Sequence, residues 1–207
     1  MSAGVPTTRS GARRAAAVAG HEGDAETARG LLDHPDPPTR AAALGALARM
    51  GGLGASALQA ALADPSPVVR RRAVVLAVGH PEVELVGLLG DRDDSVVEAA
   101  AFACGERNPA EAGAVAALSS VATGHAAALC REAAVAALGA IGDPAGLPAV
   151  LSATRDRATV RRRAVIALAP FTGDEVDAAL ARAGRDRDWQ VRQAAEDLHR
   201  GATGGPT

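Results

Sequence analysis

The residues of this sequence best suited to binding chemistry are two runs of three arginines, at positions 70–72 and 161–163. Guanidinium groups carry several donors in one plane and pair with carboxylates or phosphates through two hydrogen bonds at once. Apolar residues recur at helical spacing around the first arginine of each run, which predicts one buried face of a helix. The second and third arginines of the run face away from it. One hypothesis is that these four residues form a cationic groove that binds an acidic peptide, a phosphate or nucleic acid. They are Arg71, Arg72, Arg162 and Arg163.

A second interpretation of the same arginines is a set of solvated helix faces. All 22 basic residues are arginines, and alanine, glycine and proline are also abundant, which is typical of a GC-rich bacterial genome. The equivalent positions between the two runs hold Ala99-Ala100 and Glu132-Ala133 rather than arginines. The net charge of −2 makes nucleic acid an unlikely partner, since nucleic-acid binders usually carry a basic excess.

Other reactive side chains are few and scattered. Cys104 and Cys130 are too few for a disulfide framework, and both are predicted to be buried as small apolar residues. No histidine pair has the spacing of metal ligands on one helix, so turn capping is expected. Trp189 is expected to cover the end of the core. We therefore expect no catalytic residue, no cofactor and no metal. The histidines are His21, His34, His80, His125 and His199.

These residues lie in a pattern that repeats along almost the whole chain. Each copy has an apolar residue, an arginine, two variable residues and an alanine, with further apolar residues one and two helical turns on. Acidic, Ser and Pro residues precede each copy, and glycine often follows, which are helix start and stop signals. A second short amphipathic stretch comes next, as in residues 82–89, 146–151 and 175–180. The arginine positions are predicted at 40, 70, 98, 131, 161 and 192.

The repeat predicts an all-α solenoid of two-helix units about 30 residues long, because one pair cannot bury its apolar face without neighbours. Aromatic residues make up only 1% of the chain, so closely packed alanine-rich helices must supply the core. We expect one array from about residue 8 to 200, with disordered ends at 1–7 and 201–207. The amino terminus has no apolar core of a signal peptide, and no apolar run could span a membrane, so a cytoplasmic protein is predicted.

Two segments, Asp64-Pro-Ser-Pro-Val-Val-Arg70-Arg-Arg-Ala73 and Gly142-Asp-Pro-Ala-Gly-Leu-Pro-Ala-Val-Leu151, carry a resemblance to a known family. They resemble the HEAT repeats, in particular the short bacterial form also found in phycobilisome chromophore lyases. The resemblance implies a right-handed superhelix of six to seven repeats whose second helices line a concave face. It also implies a scaffold or adaptor, since this family mostly supplies binding surfaces.

The resemblance further implies a structural ladder between repeats, made by an aspartate in each turn and an arginine in the following helix. Carried over to this sequence, it pairs Asp64 with Arg70, Asp156 with Arg161, and Asp186 with Arg192. Position 98 holds glutamate instead of arginine, so the ladder is expected to be interrupted near the third repeat.

The function predicted from the sequence is a non-catalytic, cytoplasmic bacterial scaffold that binds a protein or peptide on its concave face, with an acidic peptide among the candidate partners. Two alternatives stay open at this point. One is an enzyme or enzyme subunit of the chromophore-lyase-like class, and the other is nucleic-acid binding through an arginine-lined groove.

Overall fold

The fold consists of short helices joined by tight turns. The computed structural model describes residues 9–203, and all regular elements in that range are α- or 3₁₀-helices. The predicted disordered segment 1–7 lies outside these residues, as do residues 204–207, whereas 201–203 continue the last helix. The chain forms two compact units, Met1–Glu84 and Leu85–Thr207.

The first unit contains α1 (Arg9–Glu22), α2 (Ala25–Gly30), α3 (Pro37–Arg49), α4 (Ala55–Leu62) and α5 (Pro67–Leu76). Helices α1, α3 and α5 stand side by side in one layer. Helix α2 packs on α1 and α3, and α4 packs on α5. Each of α3 and α5 is therefore preceded in the chain by a shorter helix that packs against it. Alanine and leucine side chains fill the space between the two sets of helices.

The second unit contains α6 (Asp94–Glu106), α7 (Ala114–Gly124), α8 (Ala128–Ile141), α9 (Leu147–Ala153), α10 (Ala158–Ala167), α11 (Asp174–Ala183) and α12 (Trp189–Thr203). Helices α6, α8, α10 and α12 form one layer in chain order. The other layer runs from the 3₁₀-helix Val86–Gly90 through α7 and α9 to α11. The predicted all-α solenoid of paired helices is therefore confirmed.

Helix boundaries follow the turn residues that the sequence displays. Asp36 precedes Pro37 at the start of α3, and its carboxylate accepts the Thr39 amide at 3.1 Å, which satisfies one free donor of the first turn. Gly142 ends α8 with a φ of 68°, a left-handed conformation that glycine adopts without a steric penalty.

The neighbouring helices of the second unit approach more closely than side chains usually allow. A Cβ atom added to Gly105 would lie 2.8 Å from the Cα of Ala137, and one on Gly139 would lie 2.7 Å from the Cα of Ala167. Glycine on one helix against alanine on the next thus brings α6, α8 and α10 almost into backbone contact. This packing explains how a chain with so few aromatic residues forms a core.

One predicted helix is mostly absent. The sequence predicts a helix for the second amphipathic stretch 82–89, but only Val86–Gly90 is helical, as a single 3₁₀ segment. Gly87 and Gly90 lower the helix propensity of this stretch. The amides of Leu85 and Val86 bind the Glu111 carboxylate instead, at 3.0 and 3.1 Å.

Candidate functional site

The first arginine of three copies, at positions 40, 131 and 161, belongs to a ladder that joins successive repeats. In α10, Arg161 donates from Nε to Asp186 Oδ2 at 2.8 Å and from Nη2 to Asp186 Oδ1 at 2.7 Å. In α8, Arg131 binds both oxygens of Asp156 at 2.6 and 2.8 Å. Each arginine therefore holds the turn that precedes the next helix of the layer, through the two-point geometry that guanidinium and carboxylate share.

The same arginines also bind the turn in front of their own helix. Arg161 Nη1 donates to the Asp156 carbonyl oxygen at 2.8 Å, and Arg192 Nη1 donates to the Asp186 carbonyl oxygen at 2.8 Å. The Arg161 guanidinium thus connects two consecutive turns. Its Nε and Nη2 bind the Asp186 carboxylate in the following turn, and its Nη1 binds the backbone carbonyl in the preceding turn.

The expected pairing within the ladder needs a correction. The predicted pairs Asp64 with Arg70, Asp156 with Arg161, and Asp186 with Arg192 meet through the backbone carbonyl of the aspartate, not through its carboxylate. The carboxylate turns toward the preceding helix, where the arginine lies 24 or 25 residues earlier in the sequence. Sequence reasoning therefore missed Arg40, which binds Asp64 at 2.7 and 2.8 Å, and Arg131.

The ladder aspartates are held in the charged form. The hydrogen bond from Arg131 lowers the pKa of Asp156, and the hydrogen bond from Arg161 lowers the pKa of Asp186, in both cases against the effect of burial. Burial alone would raise the pKa of Asp64, but hydrogen bonds from Arg40 and from the Ser66 amide lower it overall. These carboxylates serve the fold and are not available as general acids or bases.

The ladder is interrupted between α6 and α8. The position in α6 equivalent to the ladder arginine is Val97, one residue before the predicted Glu98. Val97 is fully buried. Asp91 lies six residues before Val97 and accepts the Asp93 amide. Asp64 lies six residues before Arg70 and accepts the Ser66 amide in the same way, so Val97 and Arg70 are equivalent. The predicted position 98 is therefore one residue too far along the helix.

The aspartate of the same rung is also replaced. His125 lies six residues before Arg131, where the other turns of the second unit carry Asp156 and Asp186. Its Nδ1 accepts the Ala127 amide at 3.1 Å, and its carbonyl oxygen accepts Arg131 Nη1 at 2.7 Å. Because arginine and aspartate are both absent, neither charge is left buried alone. His34 caps its turn in the same way, so turn capping is confirmed for these two histidines.

His125 stands in a cluster with Asp94 and Cys130 whose ligand atoms lie within 4.8 Å of one another. Two observations argue against metal binding here. Since His125 Nδ1 accepts a backbone amide, the neutral ring carries its proton on Nε2, the atom that faces Asp94 at 3.9 Å. The Cys130 thiol donates to the Asp94 carbonyl oxygen at 3.3 Å, and burial raises the pKa of Cys130 to about 11.

Both cysteines are fully buried and free, as predicted. Burial also raises the pKa of Cys104 to about 11, so neither thiol ionises near neutral pH. The cysteines pack as small apolar residues, and the cluster around His125 replaces a ladder rung.

The predicted partner-binding arginines lie on the helix layers of both units. Arg71 and Arg162 are exposed, whereas Arg72 and Arg163 are half-buried. Arg163 approaches Glu132 of α8, with 3.6 Å between Nη2 and Oε1. Arg72 reaches across to α3, where its guanidinium lies over Gly45. Arg71 and Arg72 belong to the first unit and Arg162 and Arg163 to the second.

An exposed groove between α10 and α12 was not anticipated from the sequence. Trp189 is 65% exposed and Ile166 is 39% exposed, so the predicted role of Trp189 as a cover for the core is wrong. Trp189 opens α12 at a position that points away from the buried stripe. The groove is lined by Arg162, Ile166, Ala169, Trp189, Gln190, Gln193, Ala194, Asp197 and Leu198.

Comparisons with known proteins agree with this architecture. No curated protein sequence matches the chain. Among solved structures, an engineered protein shares 22% identity at a TM-score of 0.65, over 88% of this chain and 99% of that one. A designed armadillo repeat protein in complex with the peptide (KR)4 shares 19% identity at a TM-score of 0.62, over 83% and 96%. The Escherichia coli protein YibA shares 17% identity at 0.60, over 94% and 75%.

A further comparison rests on the sequence of the repeats themselves. The family model for HEAT repeats matches residues 82–169 and 131–198, which together span more than half of the 207 residues. The matched region contains the helices from α6 to α11, most of α12, and the ladder pairs of Arg131 and Arg161. The chain belongs to the HEAT-repeat family.

Proposed function

We propose that this protein is a non-catalytic scaffold that binds a protein or peptide on the exposed face of its stacked helix layers. The observation that carries the proposal is the groove between α10 and α12, where Trp189 and Ile166 are exposed beside Arg162. Exposed large apolar residues grouped in a groove are typical of interaction sites rather than of plain surface.

The composition of this groove fits a binding site. Tryptophan and arginine are the residue types most enriched among those that dominate interface energetics. Gln190 and Gln193 add amide groups that can donate to and accept from a peptide backbone. The designed armadillo repeat protein of similar fold is itself in complex with a peptide, which supports a peptide-like partner for this chain.

An enzymatic function has less support. Catalytic side chains tend to combine shifted pKa values with a cleft in which substrate can bind. In the described part of the chain, the largest pKa shifts are those of Cys104 and Cys130, and both thiols are fully buried. The ladder carboxylates are bound to arginines. The shifted groups therefore stabilise the fold, and a binding function fits the exposed surface better.

The experiment is capture of a partner from an extract of the source organism on the immobilised full-length chain. Wild type is compared with Trp189→Ser and with Arg182→Ser, an exposed arginine on α11 in the other layer. We expect a stoichiometric partner on wild type and on Arg182→Ser. Trp189→Ser should weaken its binding by about 30-fold, the equivalent of about 2 kcal/mol for an interface anchor.

Circular dichroism of all three proteins controls for folding. Equal recovery of the same partner by all three would contradict a role for the groove, and failure to recover any stoichiometric partner would contradict the scaffold proposal.

A further inference from the structure

Two arginines of the layer of α1, α3 and α5 rest their guanidinium groups on glycines of the neighbouring helix. The guanidinium of Arg72, on α5, lies over Gly45 of α3, and that of Arg49, on α3, lies over Gly20 of α1. A Cβ atom at Gly45 would overlap Arg72 Nη2 and would lie 3.2 and 3.3 Å from its Cζ and Nε. The guanidinium plane therefore lies against the helix, in space that only glycine leaves open.

These arginines have no carboxylate partner within residues 9–203. Arg49, Arg71 and Arg72 form no ion pair there, and α1, α3 and α5 contain one acidic residue, Glu22, at the last position of α1. The second unit differs, because Arg163 on its layer approaches Glu132. The first unit thus presents positive charge that the fold itself does not neutralise.

The spacing of these groups indicates what they can bind. Packed helices lie about 8–10 Å apart, so guanidiniums seated on α1 and on α3 are separated by about that distance. An extended peptide rises about 3.3 Å per residue, and residues two apart point to the same side. Acidic side chains two residues apart along such a peptide face the same side with their Cα atoms about 6.6 Å apart, and their flexible side chains can spread to reach the two arginines, each with a charge-assisted hydrogen bond.

We propose that the layer of α1, α3 and α5 binds an extended acidic peptide segment whose carboxylates lie two residues apart. Arg49 and Arg72 are the fixed contacts, and exposed Arg71 adds a further charge. This inference rests on the proposed scaffold function and names the partner chemistry for one surface. Because the guanidiniums already rest on glycines, little side-chain entropy is lost when the peptide binds.

A peptide fits this surface better than nucleic acid does. Residues 1–84 contain no phenylalanine, tyrosine or tryptophan, so the first unit has no platform on which bases could stack. Ala41 and Ala42 lie on the same side of α3 as Gly45, and their small side chains let an extended backbone approach closely. The net charge of −2 also disfavours a general affinity for phosphate backbones.

The test is fluorescence anisotropy of the full-length chain with a labelled (Glu-Ser)4 peptide at about 0.1 M ionic strength, where charges are screened beyond about 10 Å. Wild type should bind, and Arg49→Ser and Arg72→Ser should each lower the affinity at least about tenfold. Gly45→Ala should also lower it, because the added methyl displaces the Arg72 guanidinium. Alanine is the better helix former, so Gly45→Ala should not lower the thermal midpoint.

Two matched controls separate this inference from the general proposal. Arg182→Ser, on α11, removes one charge elsewhere, and Trp189→Ser disrupts the other groove; both should bind (Glu-Ser)4 like wild type. If Trp189→Ser loses its captured partner while no acidic peptide binds wild type, the scaffold proposal stands and this inference fails.

Other outcomes would also overturn the inference. These are unchanged affinity in Arg49→Ser and Arg72→Ser, equal binding of (Lys-Ser)4, tighter binding of a single-stranded DNA octamer, and full competition by inorganic phosphate at the same concentration of charge.

Discussion

Arg161 and Arg162 are consecutive residues of α10, yet they lie in two different regions of the second unit. Arg161 is buried and joins two turns, through the Asp186 carboxylate and the Asp156 carbonyl oxygen. Arg162 is exposed and lines the groove beside Trp189. A helix turns by about 100° per residue, so adjacent positions face different surroundings. Residue type alone therefore does not separate a structural arginine from a binding one; its helical position does.

The rungs of the ladder show the same dependence on position. Where α8 and α10 supply Arg131 and Arg161, the following turns supply Asp156 and Asp186. Where α6 supplies Val97, the following turn supplies His125. Both members of the rung between α6 and α8 change together, which leaves neither an arginine nor an aspartate unpaired at that rung.

The largest expected effect comes from breaking this match. Val97→Arg would place a cation at a fully buried position opposite His125, and we expect a loss of about 3–5 kcal/mol in the free energy of unfolding. Val97→Arg combined with His125→Asp should recover at least half of that loss, because the carboxylate completes the rung. Urea unfolding followed by circular dichroism measures both.

Glu98→Arg is the matched control for the position of the rung. Glu98 is half-buried and lies one residue beyond the rung, so this change should cost less than about 1 kcal/mol, and His125→Asp should not alter that cost. Rescue of Glu98→Arg by His125→Asp, with no rescue of Val97→Arg, would show that the rung is at position 98.

Glu111 offers the next largest effect. Its carboxylate accepts the amides of Leu85 and Val86 and binds Arg107 Nη1, so one side chain holds the irregular start of the second unit. Glu111→Ala leaves those two amides without this acceptor and should lower the free energy of unfolding by about 3 kcal/mol. Hydrogen exchange at Leu85 and Val86 should accelerate in this variant, whereas unchanged protection would contradict the assignment. Asp197→Ala, at an exposed carboxylate of α12, is the control.

Acid should weaken the ladder in a defined pH range. Hydrogen bonds from Arg131 and Arg161 hold the pKa of Asp156 and of Asp186 below the unfolded value of about 3.9. The stability they contribute is therefore complete above that pH and is lost as pH falls through the lower folded pKa. Thermal midpoints measured from pH 6 to pH 2 should fall steeply below about pH 4 in wild type and less steeply in Asp186→Asn. Equal slopes would contradict a role for this carboxylate.

The helical repeat could be predicted from the sequence because it depends on local information. Apolar spacing, capping residues such as Asp36 and glycines such as Gly142 act within a few residues of their own position. The regular fold follows from these signals repeated along the chain, and the structure confirms it.

The contacts between repeats were harder to predict because their partners are far apart in sequence. The Arg161 and Asp186 side chains lie 25 residues apart, and a local motif shows only the nearer carbonyl contact. Glu111 binds amides 25 and 26 residues away, in a stretch that was predicted to be a helix. Trp189 was predicted to cover the end of the core, whereas its side chain in α12 faces solvent, and which face of a helix meets solvent depends on the packing of distant repeats.

The most direct test of the separation between ladder and surface compares Arg161→Ala with Arg162→Ala by urea unfolding under the same conditions. We predict that Arg161→Ala loses about 3 kcal/mol, because the Asp186 carboxylate is left without its partner, and that Arg162→Ala stays within about 0.5 kcal/mol of wild type. Equal losses in the two variants, or a larger loss in Arg162→Ala, would contradict the account.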